Sequence, residues 1–155
     1  MSVQFERVAL IGIGLIGSSL AHVMRREKIA AHITGYAKSE ETRKAAVQLG
    51  LVDSIHATAA SAVRDADLVI LCVPVGACGA IAKEMGAALK PGCIVTDVGS
   101  VKAAVVRDVA PHLPAGVHFV PGHPIAGTEQ SGPASGFADL FLKRYPKELS
   151  GGQQQ

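Results

Sequence analysis

The sequence predicts an α/β domain built on a doubly wound parallel sheet, and three observations carry that prediction. Short aliphatic stretches alternate with stretches of helical spacing from the start of the chain to about residue 120. Two of them, Val8–Ile11 and Leu68–Val73, are apolar throughout, as strands covered on both faces are. The first of them, Val8-Ala9-Leu10-Ile11, runs straight into Gly12-Ile13-Gly14-Leu15-Ile16-Gly17, a G-x-G-x-x-G that opens onto a helical pattern. Strands separated by helices imply a parallel sheet with right-handed crossovers, and the glycine turn makes it Rossmann-type.

Each element has its own signal. Residues 7–12 read as the first strand and 15–27 as the first helix, where Leu20, Val23 and Met24 fall at helical spacing. His32–Tyr36 is a short second strand. Ser39 then reads as an N-cap, with Glu40 and Glu41 in the favourable first turn of a helix ending near Gly50. A third strand falls at Ser54-Ile55-His56, with a short helical piece at Ala60–Val63. Asp67–Val73 is a buried strand that stops at Pro74, and Gly76–Leu89 is helical. Pro91-Gly92 turns the chain into a strand at Cys93–Asp97. A helix from about Val101 to His112 and a sixth strand at Val117–Val120 complete the alternation. After Pro121 the pattern breaks up, and Gly and Pro become frequent.

Composition narrows the class. The chain has 155 residues, one domain's worth, with 48% hydrophobic and 4% aromatic residues, which suits an aliphatic sheet core. A formal charge of +2, with Lys and Arg scattered, argues against nucleic acid. Cys72, Cys78 and Cys93 form no C-x-x-C pair and lie in or beside apolar segments, so they read as small core residues in reduced form. No signal-peptide layout and no run of membrane-spanning length is visible, so the expectation is a soluble cytoplasmic protein with no membrane contact. No metal site is visible either.

The glycine turn is where chemistry is expected. Gly12 allows the tight turn, Gly14 the close approach of a pyrophosphate, and Gly17 the contact of helix on strand. The helix beginning at Leu15 and Ile16 then turns its free N–H groups and positive end toward the phosphates. About 20 residues further on, a domain selective for NAD carries an Asp or Glu for the adenosine ribose. Here Ala37 takes that place, beside Lys38, Ser39 and Arg43. Losing the carboxylate removes repulsion of a 2′-phosphate, and Lys38 and Arg43 could pair with one. The two are otherwise solvated surface charges. The cofactor is therefore NAD or NADP, with a lean to NADP. Val73 and Pro74, at the end of the fourth strand, are further candidates for the cofactor wall.

Two more segments follow predicted strands and belong at the same sheet edge: Thr96-Asp97-Val98-Gly99-Ser100-Val101-Lys102, and Gly122-His123-Pro124-Ile125-Ala126-Gly127-Thr128-Glu129-Gln130-Ser131-Gly132. Together with the glycine motif and Val73-Pro74-Val75, they resemble the prephenate/arogenate (cyclohexadienyl) dehydrogenases of tyrosine biosynthesis. The resemblance covers roughly residues 6 to 143, in order and spacing. It implies oxidative decarboxylation of a cyclohexadienol bearing a ring carboxylate, prephenate or arogenate, with hydride passing to the nicotinamide. By that resemblance His123 hydrogen-bonds the ring hydroxyl and takes its proton, a role suited to an imidazole with an ordinary pKa of about 6.5. Ser100 lies by the same hydroxyl, and Glu129, with Thr128, lies toward the mouth of the substrate site. Read from the residues alone, Ser100 is equally an N-cap for a helix starting at Val101. Lys102 reads as a helix-start surface residue, and Asp97 as a group that fixes its loop. His22, His32, His56, His112 and His118 read as surface or packing residues.

The resemblance stops near residue 143. Family members continue into a helical domain that forms the homodimer and supplies basic residues for the substrate carboxylates. This chain instead runs Arg144-Tyr145-Pro146-Lys147-Glu148-Leu149-Ser150-Gly151-Gly152-Gln153-Gln154-Gln155, which resembles the L-S-G-G-Q signature of ABC-transporter ATPases without any G-x-x-x-x-G-K-[ST] loop. The expectation is a dinucleotide-binding domain over 1–143 and a disordered tail over 144–155 from a truncated or joined reading frame. A cleft with one wall lacks the carboxylate clamp and admits water, so weak or no turnover by the chain alone is expected. Two alternatives stand beside this reading: another Rossmann dehydrogenase or reductase, such as a β-hydroxyacid dehydrogenase or pyrroline carboxylate reductase, and a non-catalytic dinucleotide-binding module.

Overall fold

In the computed structural model, residues 3–124 and 130–141 are described. Six parallel strands, β1 (Phe5–Ile11), β2 (Ala30–Tyr36), β3 (Ser54–His56), β4 (Leu68–Leu71), β5 (Ile94–Asp97) and β6 (His118–Val120), form one sheet in the order β3-β2-β1-β4-β5-β6. This is the strand order of the Rossmann fold, with the order of strand addition switching from one side of β1 to the other at β4. The five α-helices among the described residues are α1 (Leu15–Arg26), α2 (Glu40–Gln48), α3 (Ala59–Ala62), α4 (Cys78–Met85) and α5 (Lys102–Val109).

The apolar runs are buried on both sides because alternate residues serve two cores. Ala9 and Ile11 of β1, Val69 and Leu71 of β4, and Val95 of β5 pack against α3, α4 and α5 through Ala62, Ile81, Met85, Val105 and Val109. Val8, Leu10, Ile33 and Ile70 face the other way, onto Ala21 and Met24 of α1 and Ala46 of α2. Val8 through Ile11 are all 0% exposed, which a central strand requires and a one-sided strand would not show.

Every expected element is present, with shifted ends. Gly12, at φ +106°, leaves the first strand one residue early. Helix α2 is capped by the Ser39 hydroxyl accepting from the Thr42 N–H, with Glu40 and Glu41 in its first turn. The helix read over 76–89 is a 3₁₀ turn at Val75–Ala77, then α4, then a second 3₁₀ turn at Gly86–Ala88. At Gly86 a Cβ would lie 2.3 Å from the His112 carbonyl oxygen, so close packing against the chain after α5 tightens this end. The helix read over 101–112 starts at Lys102 and tightens at Ala110–His112, where Pro111 removes a donor. Val101 precedes it with no side-chain cap, so the N-cap reading of Ser100 is not borne out. Beyond β6 lie two 3₁₀ turns, Pro133–Ser135 and Ala138–Phe141. They dock on α1: the Phe137 N–H donates to the Ser19 hydroxyl at 3.1 Å, and Arg26 pairs with Asp139 at 2.7 Å. The tail 144–155, with the disorder expected for it, lies outside the described residues.

At the amino end of the sheet, remote from the glycine turn, Asp67 accepts from Lys90 and from the Arg7 N–H at 2.9 Å. The Lys90 ammonium and that N–H hold the Asp67 carboxyl below its ordinary value against a small opposing effect of burial. A carboxyl depressed in the folded state stabilises above its unfolded pKa, and that contribution is lost as pH falls through the folded value. Asp67→Asn is therefore expected to be less stable than the parent at pH 6, with the gap closing from about pH 4 downward. Urea denaturation of both proteins at pH 6 and pH 2.5 checks this, and a pH-independent gap would sink it.

Candidate functional site

The carboxyl ends of β1 and β4 stand side by side, Ile11 paired with Leu71, at the point where the strand order reverses. Ligands of open α/β sheets bind in the crevice there. Gly12 turns the chain out of β1 at positive φ, and a Cβ on it would lie 2.6 Å from the Cys72 carbonyl oxygen. A Cβ on Gly17 would lie 2.1 Å from the Gly12 carbonyl oxygen. The third glycine thus lets the helix sit on the turn itself rather than on a strand, a refinement of the sequence reading. Gly14 differs from both, because a Cβ there meets nothing within 4 Å. It serves as N-cap of α1 with no side-chain cap and no acidic residue in the first turn. The first N–H groups of a helix have no intrahelical partner, so Leu15 and Ile16 open a terminus whose positive end faces outward past Gly14. The Ser18 and Ser19 hydroxyls turn back onto Gly14 and Leu15 carbonyls and leave that opening clear.

From Gly14 a groove of about 670 Å³ runs between the end of β2 and the start of α4. That volume lies within the range of cofactor sites. One wall is Ala37, Lys38 and Ser39; the other is Val73, Pro74 and Ile81. Cys72 also lines it, and burial pushes its thiol up to about 12, so it stays protonated at neutral pH. Cys78 and Cys93 are core residues, as their setting in the sequence implied. Ala37 is buried and brings no charge. Arg43 is partly buried, its guanidinium donating to the carbonyls of Ala37 and Lys38, both at 2.8 Å, which fixes it beside the end of β2. Lys38 and Ser39 are exposed. The open space at Gly14, the uncapped helix terminus and the apolar slot beyond fit a dinucleotide. Gly132 and Pro133 complete one end of the groove; the sequence reading placed Gly132 at this sheet edge as the last residue of its second motif but gave neither residue a part in the cofactor site.

The second constellation lies on adjacent strands at the same sheet edge, with Thr96 of β5 in register with Val120 of β6. Its organiser is Asp97, 2% exposed. One carboxylate oxygen accepts from the Gly99 N–H at 2.8 Å, the other from the Gly122 N–H at 3.1 Å. Lys102 is not the surface residue its position suggested. Its ammonium pairs with Asp97 and donates to the Gly122 carbonyl. An ammonium at the start of α5 reaches back because the carboxylate beneath it is buried and needs a counter-charge. Ser100 and His123 each follow one of these anchored glycines, and both are exposed. Thr128 and Glu129 lie outside the described residues.

Sheet order, glycine turn and groove together define a Rossmann-type nucleotide-binding domain. The chain belongs to the family described as prephenate dehydrogenase, nucleotide-binding domain, whose model matches residues 20–146. It is similar to the cyclohexadienyl dehydrogenase of Zymomonas mobilis, 46% identical over 137 residues that make up 88% of this chain and 46% of that protein. The prephenate dehydrogenase of Bacillus subtilis is 34% identical over 91% of this chain and 38% of its own length. Among solved structures, prephenate dehydrogenase from A. aeolicus, in complex with hydroxyphenyl propionate and NAD+, superposes with a TM-score of 0.81 at 32% identity, covering 99% of this chain and 57% of that one. Synechocystis arogenate dehydrogenase gives 0.78 at 28% identity, over 96% of this chain and 55% of that one. The chain thus spans about half the length of the relatives it matches. Among the described residues, no helix is long and apolar enough to cross a membrane.

Proposed function

We propose that this chain is the dinucleotide-binding and proton-accepting part of a prephenate or arogenate dehydrogenase. The observation that carries the reading is the open groove at Gly14 sharing one sheet edge with two loops gathered on the Asp97 carboxylate, in a chain of this family. NAD or NADP, when bound, supplies the hydride acceptor. Gly12 and Gly17 hold the turn, and the Leu15 and Ile16 end of α1 meets the pyrophosphate. Val73 and Pro74 line the slot.

His123 then accepts the proton of the ring hydroxyl as the hydrogen on that carbon leaves as hydride. The Ser100 hydroxyl shares the same oxygen without adding charge. The bond to the ring carboxylate breaks, carbon dioxide departs, and the electron pair stays in the ring, which becomes aromatic. Thr128 and Glu129 belong to the substrate side of this reading.

Of the two cofactors, NADP suits the site better. Ala37 presents no carboxylate to a 2′-phosphate, and Lys38, Ser39 and Arg43 stand beside it. A fluorescence titration with NADPH and NADH side by side tests the whole reading. Both should saturate, NADPH about three- to fivefold tighter, as one exposed ion pair is worth. Lys38→Gln should remove that preference. A folded chain that binds neither would end the proposal, and a preference for NADH would reverse the choice of cofactor alone.

A further inference from the structure

Asp97 does more than satisfy its own loop. Its two oxygens are shared between the segments that follow β5 and β6, one through Gly99 and the other through Gly122. Gly122 is gripped twice, because its carbonyl accepts from Lys102 while its N–H donates to Asp97. Both glycine backbones sit directly on this pair. A Cβ on Gly99 would lie 3.0 Å from Asp97 Oδ2, and one on Gly122 would lie 3.2 Å from the Asp97 carbonyl oxygen. The next residue after each glycine is Ser100 or His123, exposed and directed by the backbone that precedes it.

We propose that Asp97 and Lys102 are a positioning pair that fixes Ser100 and His123 relative to one another for proton transfer from the substrate hydroxyl. This rests on the reading of the function given above. Neither residue touches substrate in this scheme; both act through the two glycine backbones. The Asp97 side chain is fully buried while that of Lys102 stays 34% exposed, and burying a carboxylate costs stability that a partly exposed partner only offsets, so geometry is the better account of this arrangement. Charge-assisted bonds to N–H groups are stiff enough to hold two loops in one register. Misplacing a catalytic group by about 1 Å costs roughly a hundredfold in rate.

Asp97→Asn is the direct test, because an amide keeps the size and loses one acceptor and the charge. It is expected to move the Gly99 and Gly122 amide resonances and the His123 ring resonances. The limiting rate of dinucleotide reduction with prephenate or arogenate should fall roughly ten- to a hundredfold. Dinucleotide affinity should stay unchanged. Lys102→Arg should recover most of the rate and Lys102→Met should not, which also covers failure of the first variant to fold. If rate falls only in step with folded fraction or dinucleotide affinity, or if Lys102→Met keeps the parent rate, the proposal is wrong. If the parent binds dinucleotide yet turns over neither substrate, catalysis by this chain on its own is refuted while dinucleotide binding stands. The pair is then judged on the resonances: unmoved in Asp97→Asn they refute it, moved together they uphold it.

Discussion

Gly14→Ala should cost dinucleotide binding and leave the fold intact, whereas Gly17→Ala should cost the fold. The two glycines stand three residues apart in one motif, yet their surroundings are opposite. A Cβ on Gly17 would meet the Gly12 carbonyl oxygen at 2.1 Å, a backbone atom in a turn already set by positive φ at Gly12. Helix α1 would have to lift away from the turn. Overpacking of this kind costs about 1–3 kcal/mol, and with no flexible side chain to yield, the upper end is expected. At Gly14 a Cβ enters open space, and the backbone there, φ −92° and ψ −154°, is extended. Alanine is a poorer N-cap than glycine but loses less entropy on folding, and terms of about 0.5–1 kcal/mol in each direction nearly cancel. Stability should therefore hold while the methyl group occupies the space a pyrophosphate would take. Urea denaturation paired with NADH titration reads both. Equal loss of stability in the two variants, or parent-like binding by Gly14→Ala, would show that the groove is not a phosphate site.

That difference bears on how far this sequence could be read. The glycine motif, the Ser39 cap and the aliphatic runs of β1 and β4 are local features, and those elements formed where local physics put them. Strand ends and 3₁₀ turns shifted because they depend on contacts from afar, as at Gly86 against His112. Asp97 was legible as a loop-fixing residue, since a carboxylate just past a buried strand has few other uses. Lys102 was not. Its spacing suits a surface helix start, and only the fold shows a buried carboxylate below it with Gly122 across from it. The part of Gly132 and Pro133 in the groove escaped for the same reason: their segment is tied to α1 by the Phe137 N–H and by Asp139, with Leu140 buried. Arg43 was read as a partner for a 2′-phosphate or else a solvated charge, and the two carbonyls on which it is fixed could not be foreseen. What sequence could not supply in each case was the partner brought in from a distant part of the chain.

Replacing His123 with asparagine should have the largest effect on chemistry. Asparagine is close in size and can still hydrogen-bond a hydroxyl, but it cannot take a proton at any working pH. Losing a positioned general base costs roughly a hundred- to ten-thousandfold in rate. His123 is exposed, so the substitution should leave stability within about 0.5 kcal/mol. Dinucleotide affinity should also hold, because the groove is lined by β1, β2, β4 and α4 neighbours and His123 is not among its walls. The decisive comparison is the limiting rate of reduced-cofactor formation with prephenate and with arogenate, parent against variant, across pH. The variant should lose most of the parent's rate with both substrates. His123→Ala should lose at least as much, and added imidazole should restore part of it, since the exposed position leaves room for a free base to enter. A variant that keeps the parent rate would remove His123 from the reaction and leave the proton to another group.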